Sequence, residues 1–414
     1  MKYQFFLDRR YLMIATAVFL VFSAYANQQL LLESLQQDPP KDSALLKLQR
    51  YLDSNYHIID SYYKVAAEKQ MLENEKKTGT RRLLQINDSL NVLLKADLCK
   101  ICTQRPRPGA KDWRTQLKTL YESVIRLEKE EEELKTKLTD KTTASSLQSL
   151  DSRAKLEQEK FDEISGRLKQ MSAKLAGPGT LNIPLNDKVA MYRFFIVSKT
   201  QHVVQVHCSM EGPASIETLL KSLSKTTEPL MITNGGMFRP GYGPQGLLIQ
   251  NARIVHSLDT SRPYKSNLNF YLLPNAVFYM EPTGNFKIQE TKDFQKAYPA
   301  GAKNIPLFAT QSGPLLFNGD GINSNFRMGS TNTNIRSGVG ILDSGRVVFI
   351  ISDNPVNFYD FALVFKEVFK CSSALYLDGA ISEMYISEKL LANSKAVING
   401  NFGPLISVTQ KKKL

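Results

Sequence analysis

The chain has 414 residues, 42% of them hydrophobic, so it is long enough for two or three cores and too apolar for a largely disordered protein. Its formal charge of +13 comes from basic residues spread along the chain, with one dense run at 411–413. No basic stripe interleaved with aromatics is present, so nucleic-acid binding is not expected; the charge suits general solubility or a surface facing anionic envelope polymers and lipid headgroups.

Lys2, Arg9 and Arg10 precede a short apolar run, residues 11–22, that exits through Ala24-Tyr25-Ala26. A basic start, a greasy middle and a small-residue exit predict a secretory signal peptide over residues 1–26, cleaved after Ala26. The run is shorter than the ~20 apolar residues that comfortably span a bilayer, and an uncleaved anchor is the alternative. Either way the remainder is expected to be exported, periplasmic or secreted. Residues 27–111 read as helical, with helices at 45–72 and 83–98 broken around Gly79 and ended by the prolines Pro106 and Pro108. Leu117, Leu120, Val124, Leu127, Leu134 and Leu138 then step by three and four. After a polar gap, Leu147, Leu150, Ala154, Phe161, Ile164, Leu168, Met171 and Leu175 continue the pattern. Heptads joined by a short connection predict an antiparallel coiled-coil hairpin over residues 112–175, a structural arm or a surface for a protein partner or self-association.

Residues 176–186, rich in glycine and proline, read as a linker. From 187 to 410 the texture changes to short β-rich runs at 192–197, 202–206, 229–233, 246–249, 270–273, 277–280, 338–342, 347–351 and 374–377, with helices at 215–222 and 358–369. Many strands with few, unalternating helices predict an α+β fold: a strand-rich C-terminal domain preceded by an all-α coiled-coil or helical-hairpin region, with a basic tail at 411–414. Cys99 and Cys102 form a C-x-x-C pair without the second ligand pair a zinc site needs and without the βαβ context of a redox motif. A structural disulfide is the expectation for an exported chain, and Cys208 with Cys371 is a second candidate bridge.

Four phrases set polar side chains beside glycines at strand-like ends: Asn234-Gly235-Gly236, Gln311-Ser312-Gly313, Arg336-Ser337-Gly338, and Asp378-Gly379 followed by Ser382. Glycine lets the main chain approach a ligand closely, so the set reads as the rim of one pocket. Asp378 ends an apolar strand, a setting that can tune a general acid or base. Arg336 offers a planar fork suited to phosphate. Asn234 can donate to and accept from a sugar hydroxyl, and the N–H groups of Gly235 and Gly236 could help hold an anion. Gln311, Ser312, Gly313, Ser337, Gly379 and Ser382 are supporting substrate-binding candidates. Each phrase also has a bland interpretation, as an ordinary turn or a solvated loop. No metal-ligand cluster is identifiable; a divalent ion is compatible with such a site, but nothing specifies one.

In this order the phrases resemble the phosphodiester glycosidase domain over about residues 193–385, and in particular its bacterial, uncharacterised branch. The resemblance implies a hydrolase acting on a sugar-1-phosphodiester in an envelope glycan or glycolipid, with Asp378, Arg336 and Asn234 in the active site. Better-known members carry a glycine run after the aspartate, where this chain has Ala380 and Ile381. That departure leaves open a second expectation, a non-catalytic module on a coiled-coil arm that binds glycan or protein.

Overall fold

A computed structural model describes residues 44–103, 113–139, 141–185, 188–208, 212–261, 269–319, 321–378, 381–391 and 400–411. The signal segment, and residues 412–414 of the basic tail, lie outside them. The helical arm comprises α1 (Ala44–Thr103), α2 (Trp113–Thr139) and α3 (Lys141–Ser172). It is a hairpin, but its limbs differ from those the heptads predict. Arg82 pairs with Glu130 at 2.8 Å, Lys69 with Asp151 at 2.6 Å, and Tyr62 stacks on Phe161 at 4.2 Å. As residue numbers fall along α1 they rise through α2 and then α3, so these two follow one another and both run antiparallel to α1. The polar gap holds no glycine or proline, and helix resumes at Lys141. Gly79 does not break α1: a Cβ there would stand 3.2 Å from Leu138 Cδ2, so the glycine admits the opposing limb. At about 1.5 Å per residue, 60-residue α1 is about 90 Å long.

The predicted linker is strand β1 (Gly177–Leu185), paired along its whole length with β2 (Lys188–Ser198). Its glycines and prolines suit a sheet edge. A Cβ on Gly179 would fall 2.5 Å from Phe194, and Gln49 of α1 exchanges hydrogen bonds with the Asn182 backbone (2.7 and 2.8 Å), covering that edge.

Three antiparallel sheets follow. The central one runs β1-β2-β13-β12-β14-β10-β11, where β10 is Leu315–Asn318, β11 Gly321–Ile322, β12 Ser337–Asp343, β13 Arg346–Ser352 and β14 Ser373–Asp378. A second runs β15-β4-β16-β3, with β3 His202–His207, β4 Pro229–Asn234, β15 Met384–Ile386 and β16 Leu405–Gln410. The third runs β6-β5-β9-β7-β8, with β5 Leu248–Gln250, β6 Arg253–His256, β7 Ala276–Met280, β8 Phe286–Glu290 and β9 Phe308–Ser312. Where a strand was expected at 270–273 there is a short 3-10 turn, Asn269–Tyr271.

The central sheet is buried on both faces, which is why its strands read as unbroken apolar runs. Phe194, Ile196, Val348, Ile350, Ala374 and Tyr376 pack toward the arm root and α6 (Phe358–Leu363), whose chain continues as a π-helix, Val364–Val368. Phe195, Val197, Phe349, Ile351, Leu375 and Leu377 pack toward the other sheets. The helix expected at 215–222 forms as α4 (Ile216–Leu223), capped by Ser215, and α5 (Thr291–Ala297) follows β8. Cys371 is buried as a free thiol, and its Sγ would stand 2.6 Å from a Cβ on Gly340, so the Cys208–Cys371 bridge does not form. The side chains of Cys99 and Cys102 lie outside the described residues.

At the arm root Leu48, Leu52, Tyr56 and Ile59 share a core with Phe161, Ile164, Leu168, Phe361, Val364 and Phe365. Asp360 sits at this junction, its carboxyl pushed up to about 6 by burial, with Asp60 adding to the shift and Asn357 and Lys64 opposing it. A folded pKa above the unfolded one means the folded chain holds a proton that the unfolded chain releases, so stability falls as pH rises from about 4 to 6 and levels off beyond. Asp360→Asn, which keeps an acceptor for Asn357, is therefore expected to flatten this slope and to raise stability at pH 7 by about 1–2 kcal/mol, checked by denaturant titrations across that window.

Candidate active site

Strand ends from two sheets meet at the candidate residues. Asn234 ends β4, Ser337 opens β12, and Asp378 ends β14 as the register partner of Ser337. The β12–β14 pairing shifts register between Ser337 and Gly338, placing a bulge beside the aspartate. Asn234 Nδ2 donates to Ser337 Oγ at 2.8 Å, and the Ser337 hydroxyl has Asn234 Oδ1 (3.1 Å) and Ser382 Oγ (3.2 Å) as acceptors within reach. The Glu383 N–H donates to Asn234 Oδ1 at 3.2 Å, and Thr233 Oγ1 donates to the Glu383 carbonyl at 2.9 Å, tying the segment after Asp378 to β4. Asn234, Ser337, Asp378 and Ser382 are thereby brought together, while Gly379 lies outside the described residues.

Arg336 belongs to the same neighbourhood but not as an open phosphate fork. It is 0% exposed; Nε donates to the Val356 carbonyl at 2.7 Å, Nη2 to the Asn332 carbonyl at 3.0 Å, and the guanidinium lies 3.6 Å over the Phe358 ring. Nη1 is buried without a partner in hydrogen-bond geometry. Burial lowers the Arg336 pKa, and nearby Tyr376 counters that. Burial raises the Tyr376 phenol, Arg336 works against the rise, and Asp378 adds to it. Arg336 and Asp378 thus both act on one phenol. Sequence reasoning missed Tyr376; its signal was its place two residues before Asp378 on the same strand, where alternate residues share a face.

The remaining candidates are framework. The Gly235 N–H donates to the Pro404 carbonyl (2.8 Å) and the Gly236 N–H to Thr310 Oγ1 (3.0 Å), so neither is available to an anion. A Cβ on Gly236 would lie 2.3 Å from the Gln311 carbonyl oxygen; this glycine serves close strand approach, not ligand approach. Gln311 spends Oε1 on the Leu247 and Asp259 N–H groups and Nε2 on the Asp259 carbonyl and Thr291 Oγ1. Ser312 Oγ donates to the Leu377 carbonyl at 2.6 Å, bracing the strand that carries Asp378. Gly313 fits against Asn275, whose Cβ would be 2.9 Å from an added Cβ. Gly338 and Gly340 likewise let α6 and the π-helix press on β12: a Cβ on Gly340 would be 2.6 Å from Phe365.

Of two other carboxylates near the motifs, Asp353 is bound by Arg193 at 2.7 Å, and Asp259 accepts from Tyr271, Gln245 and Ser261. Glu383 accepts from the Gly400 N–H at 2.8 Å. Asp378 is 8% exposed, against 1% for Asn234. Beside Ser382 opens a cleft of about 510 Å³, lined by Phe238, Arg239, Tyr242, Ile381, Gly400 and Asn401 among others. Among the described residues no group of three His, Cys, Asp or Glu side chains is placed to share a metal ion.

The model of the phosphodiester glycosidase family matches residues 227–404, which include Asn234, Arg336, Asp378 and the cleft but not the arm. YigE, an uncharacterised protein of Escherichia coli strain K12, is 33% identical over 207 residues, covering 49% of this chain and 77% of YigE. Among solved structures, the catalytic domain of zebrafish N-acetylglucosamine-1-phosphodiester alpha-N-acetylglucosaminidase is similar with a TM-score of 0.41 at 14% identity, over 56% of this chain and 83% of that one. A hypothetical protein from Synechocystis gives a TM-score of 0.35 at 12% identity, over 56% and 61%.

Proposed function

The chain belongs to the phosphodiester glycosidase family, and from that premise we propose that it hydrolyses a sugar-1-phosphodiester, the substrate class that the name of the zebrafish enzyme carries. The observation that carries this reading is the meeting of Asn234, Ser337, Ser382 and Asp378 at strand ends from two sheets. Water adds to the anomeric carbon as the bond from that carbon to the phosphate oxygen breaks. The phosphate leaves with the electron pair as a monoester. Asp378 takes the proton from water and stabilises positive charge developing at the anomeric carbon. Asn234, held by Ser337 and the Glu383 N–H, orients the site, and half-buried Ser382 is the more accessible member that meets a sugar hydroxyl. Arg336, fully buried, contributes as a fixed cation beneath Tyr376 and not by gripping phosphate.

The second reading, a glycan-binding module without turnover, is favoured by that same burial of Arg336. Incubation of the purified protein with an N-acetylglucosamine-1-phosphodiester separates the two. Release of sugar and phosphomonoester supports the hydrolase; glycan binding with intact substrate across pH and added divalent ions would replace it with the module.

Export is part of the same proposal. None of the described helices is long and apolar enough to cross a membrane, and the expected signal segment lies outside the described residues. N-terminal sequencing of the mature chain should begin at Asn27; a start at Met1 would show the segment retained.

A further inference from the structure

We propose that the cleft between the 237–245 hairpin and Ile381 is a saccharide subsite, in which Phe238 and Tyr242 form the platform for a pyranose ring adjoining the scissile bond. That the ligand is a sugar rests on the hydrolase reading; that a ligand binds here rests on how the wall is built.

After β4 the chain folds back on itself. Gln245 N–H donates to the Met237 carbonyl (2.8 Å), Arg239 N–H to the Gly243 carbonyl (2.8 Å), and Tyr242 N–H to the Arg239 carbonyl (2.9 Å). At the tip, Gly241 has φ +90° and Tyr242 φ +66°. The first suits glycine; the second puts a bulky residue in a backbone region that L side chains avoid, and such conformations persist only where the surroundings impose them. The strained backbone brings the Tyr242 ring nearly parallel to Phe238, at 5.7 Å and 23°. The hairpin lies so close to the approach to β16 that a Cβ on Gly403 would be 2.5 Å from Phe238 Cβ and 2.6 Å from the Tyr242 carbonyl oxygen. Two rings are therefore fixed as one half-buried aromatic surface.

The opposite wall matches a sugar. Ile381, 45% exposed, faces the cleft beside the exposed amide of Asn401, and the Arg239 guanidinium, held by the Pro244 carbonyl at 3.3 Å and by His256, stands at the rim. A pyranose presents an apolar C–H face and a polar equatorial edge, so aromatic and aliphatic walls with a few amide and guanidinium donors suit it. The volume of about 510 Å³ falls in the range of about 300–1,000 Å³ typical of small-ligand sites. Ile381 of the cleft wall directly precedes Ser382, whose Oγ is 3.2 Å from Ser337, so one short segment after Asp378 serves both the cleft and the reacting cluster.

Tyr242→Gly tests this without refolding the hairpin, since glycine accepts the positive φ. Ile381→Lys alters the other wall at an exposed position. Calorimetric titration of N-acetylglucosamine and its linear tetramer into wild type and both variants should show saturable binding to wild type and at least a tenfold weaker Kd in each variant, with unchanged thermal unfolding. If neither variant weakens binding, or wild type binds neither sugar, the subsite is overturned. The hydrolase is judged separately. Turnover of an N-acetylglucosamine-1-phosphodiester with KM unchanged in Tyr242→Gly would leave the activity standing and remove the subsite. Sugar binding lost in both variants, with no turnover by wild type, would leave the subsite standing and remove the hydrolase.

Discussion

An Asp378→Asn variant is expected to lose sugar-1-phosphodiester hydrolysis by at least ~10²-fold in kcat while keeping its fold, because a single proton-transferring group typically contributes ~10²–10⁴. Asparagine has nearly the same shape and retains an acceptor, so the pairing of this position with Ser337 and the bracing of Leu377 by Ser312 should survive. What disappears is the negative charge with which Asp378 acts on buried Tyr376. The measurement is phosphomonoester release under saturating substrate, alongside circular dichroism of both proteins. A variant as active as wild type would remove Asp378 from the chemistry. Equal loss of kcat and secondary structure would assign it a folding role instead.

Glu367→Gln is expected to produce the largest loss of stability. Glu367 is 2% exposed at the junction of arm and domain. Its Oε2 meets Lys370 Nζ at 2.6 Å, its Oε1 meets Lys366 Nζ at 3.0 Å and the Tyr63 hydroxyl, and Lys370 also donates to Ser165 of α3 at 2.7 Å. Burial works to raise this carboxyl, but Lys370 and Lys366 overcome it and hold the pKa below the ordinary carboxylate value. A depressed folded pKa gives stability that is present above the unfolded value and lost as pH falls through the folded one, so this clamp weakens only in acid. Neutralising Glu367 strands two largely buried ammonium groups, which costs about 3–5 kcal/mol. Denaturant unfolding should show that loss, and limited proteolysis should cut first near the base of α1. Stability within about 0.5 kcal/mol of wild type, the worth of one weak surface pair, would show the network to be energetically neutral.

What could be read in the residue order was whatever rests on local repetition. Heptad steps announced the helical arm, short β-rich runs announced most of the strands, and the helix expected at 215–222 forms as Ile216–Leu223. The ordered glycine phrases located the strand ends that meet around Asp378 and pointed to the family. The role of each residue within those phrases was not legible, because it depends on partners far away in the chain. Gly236 and Gly338 look like ligand-approach glycines until the Gln311 backbone and the Phe361 and Phe365 rings are placed against them. Arg336 looks like a phosphate fork until Val356, Asn332 and Phe358 enclose it. The arm shows the same division: its amphipathic period is a property of short stretches, whereas the pairing of α2 and α3 on α1 depends on contacts such as Arg82–Glu130, 48 residues apart. Short-range periodicity thus determined the elements of this protein, and only tertiary packing decided which side chains remain available for chemistry, since burial and hydrogen-bond partners are set by whatever the fold brings alongside.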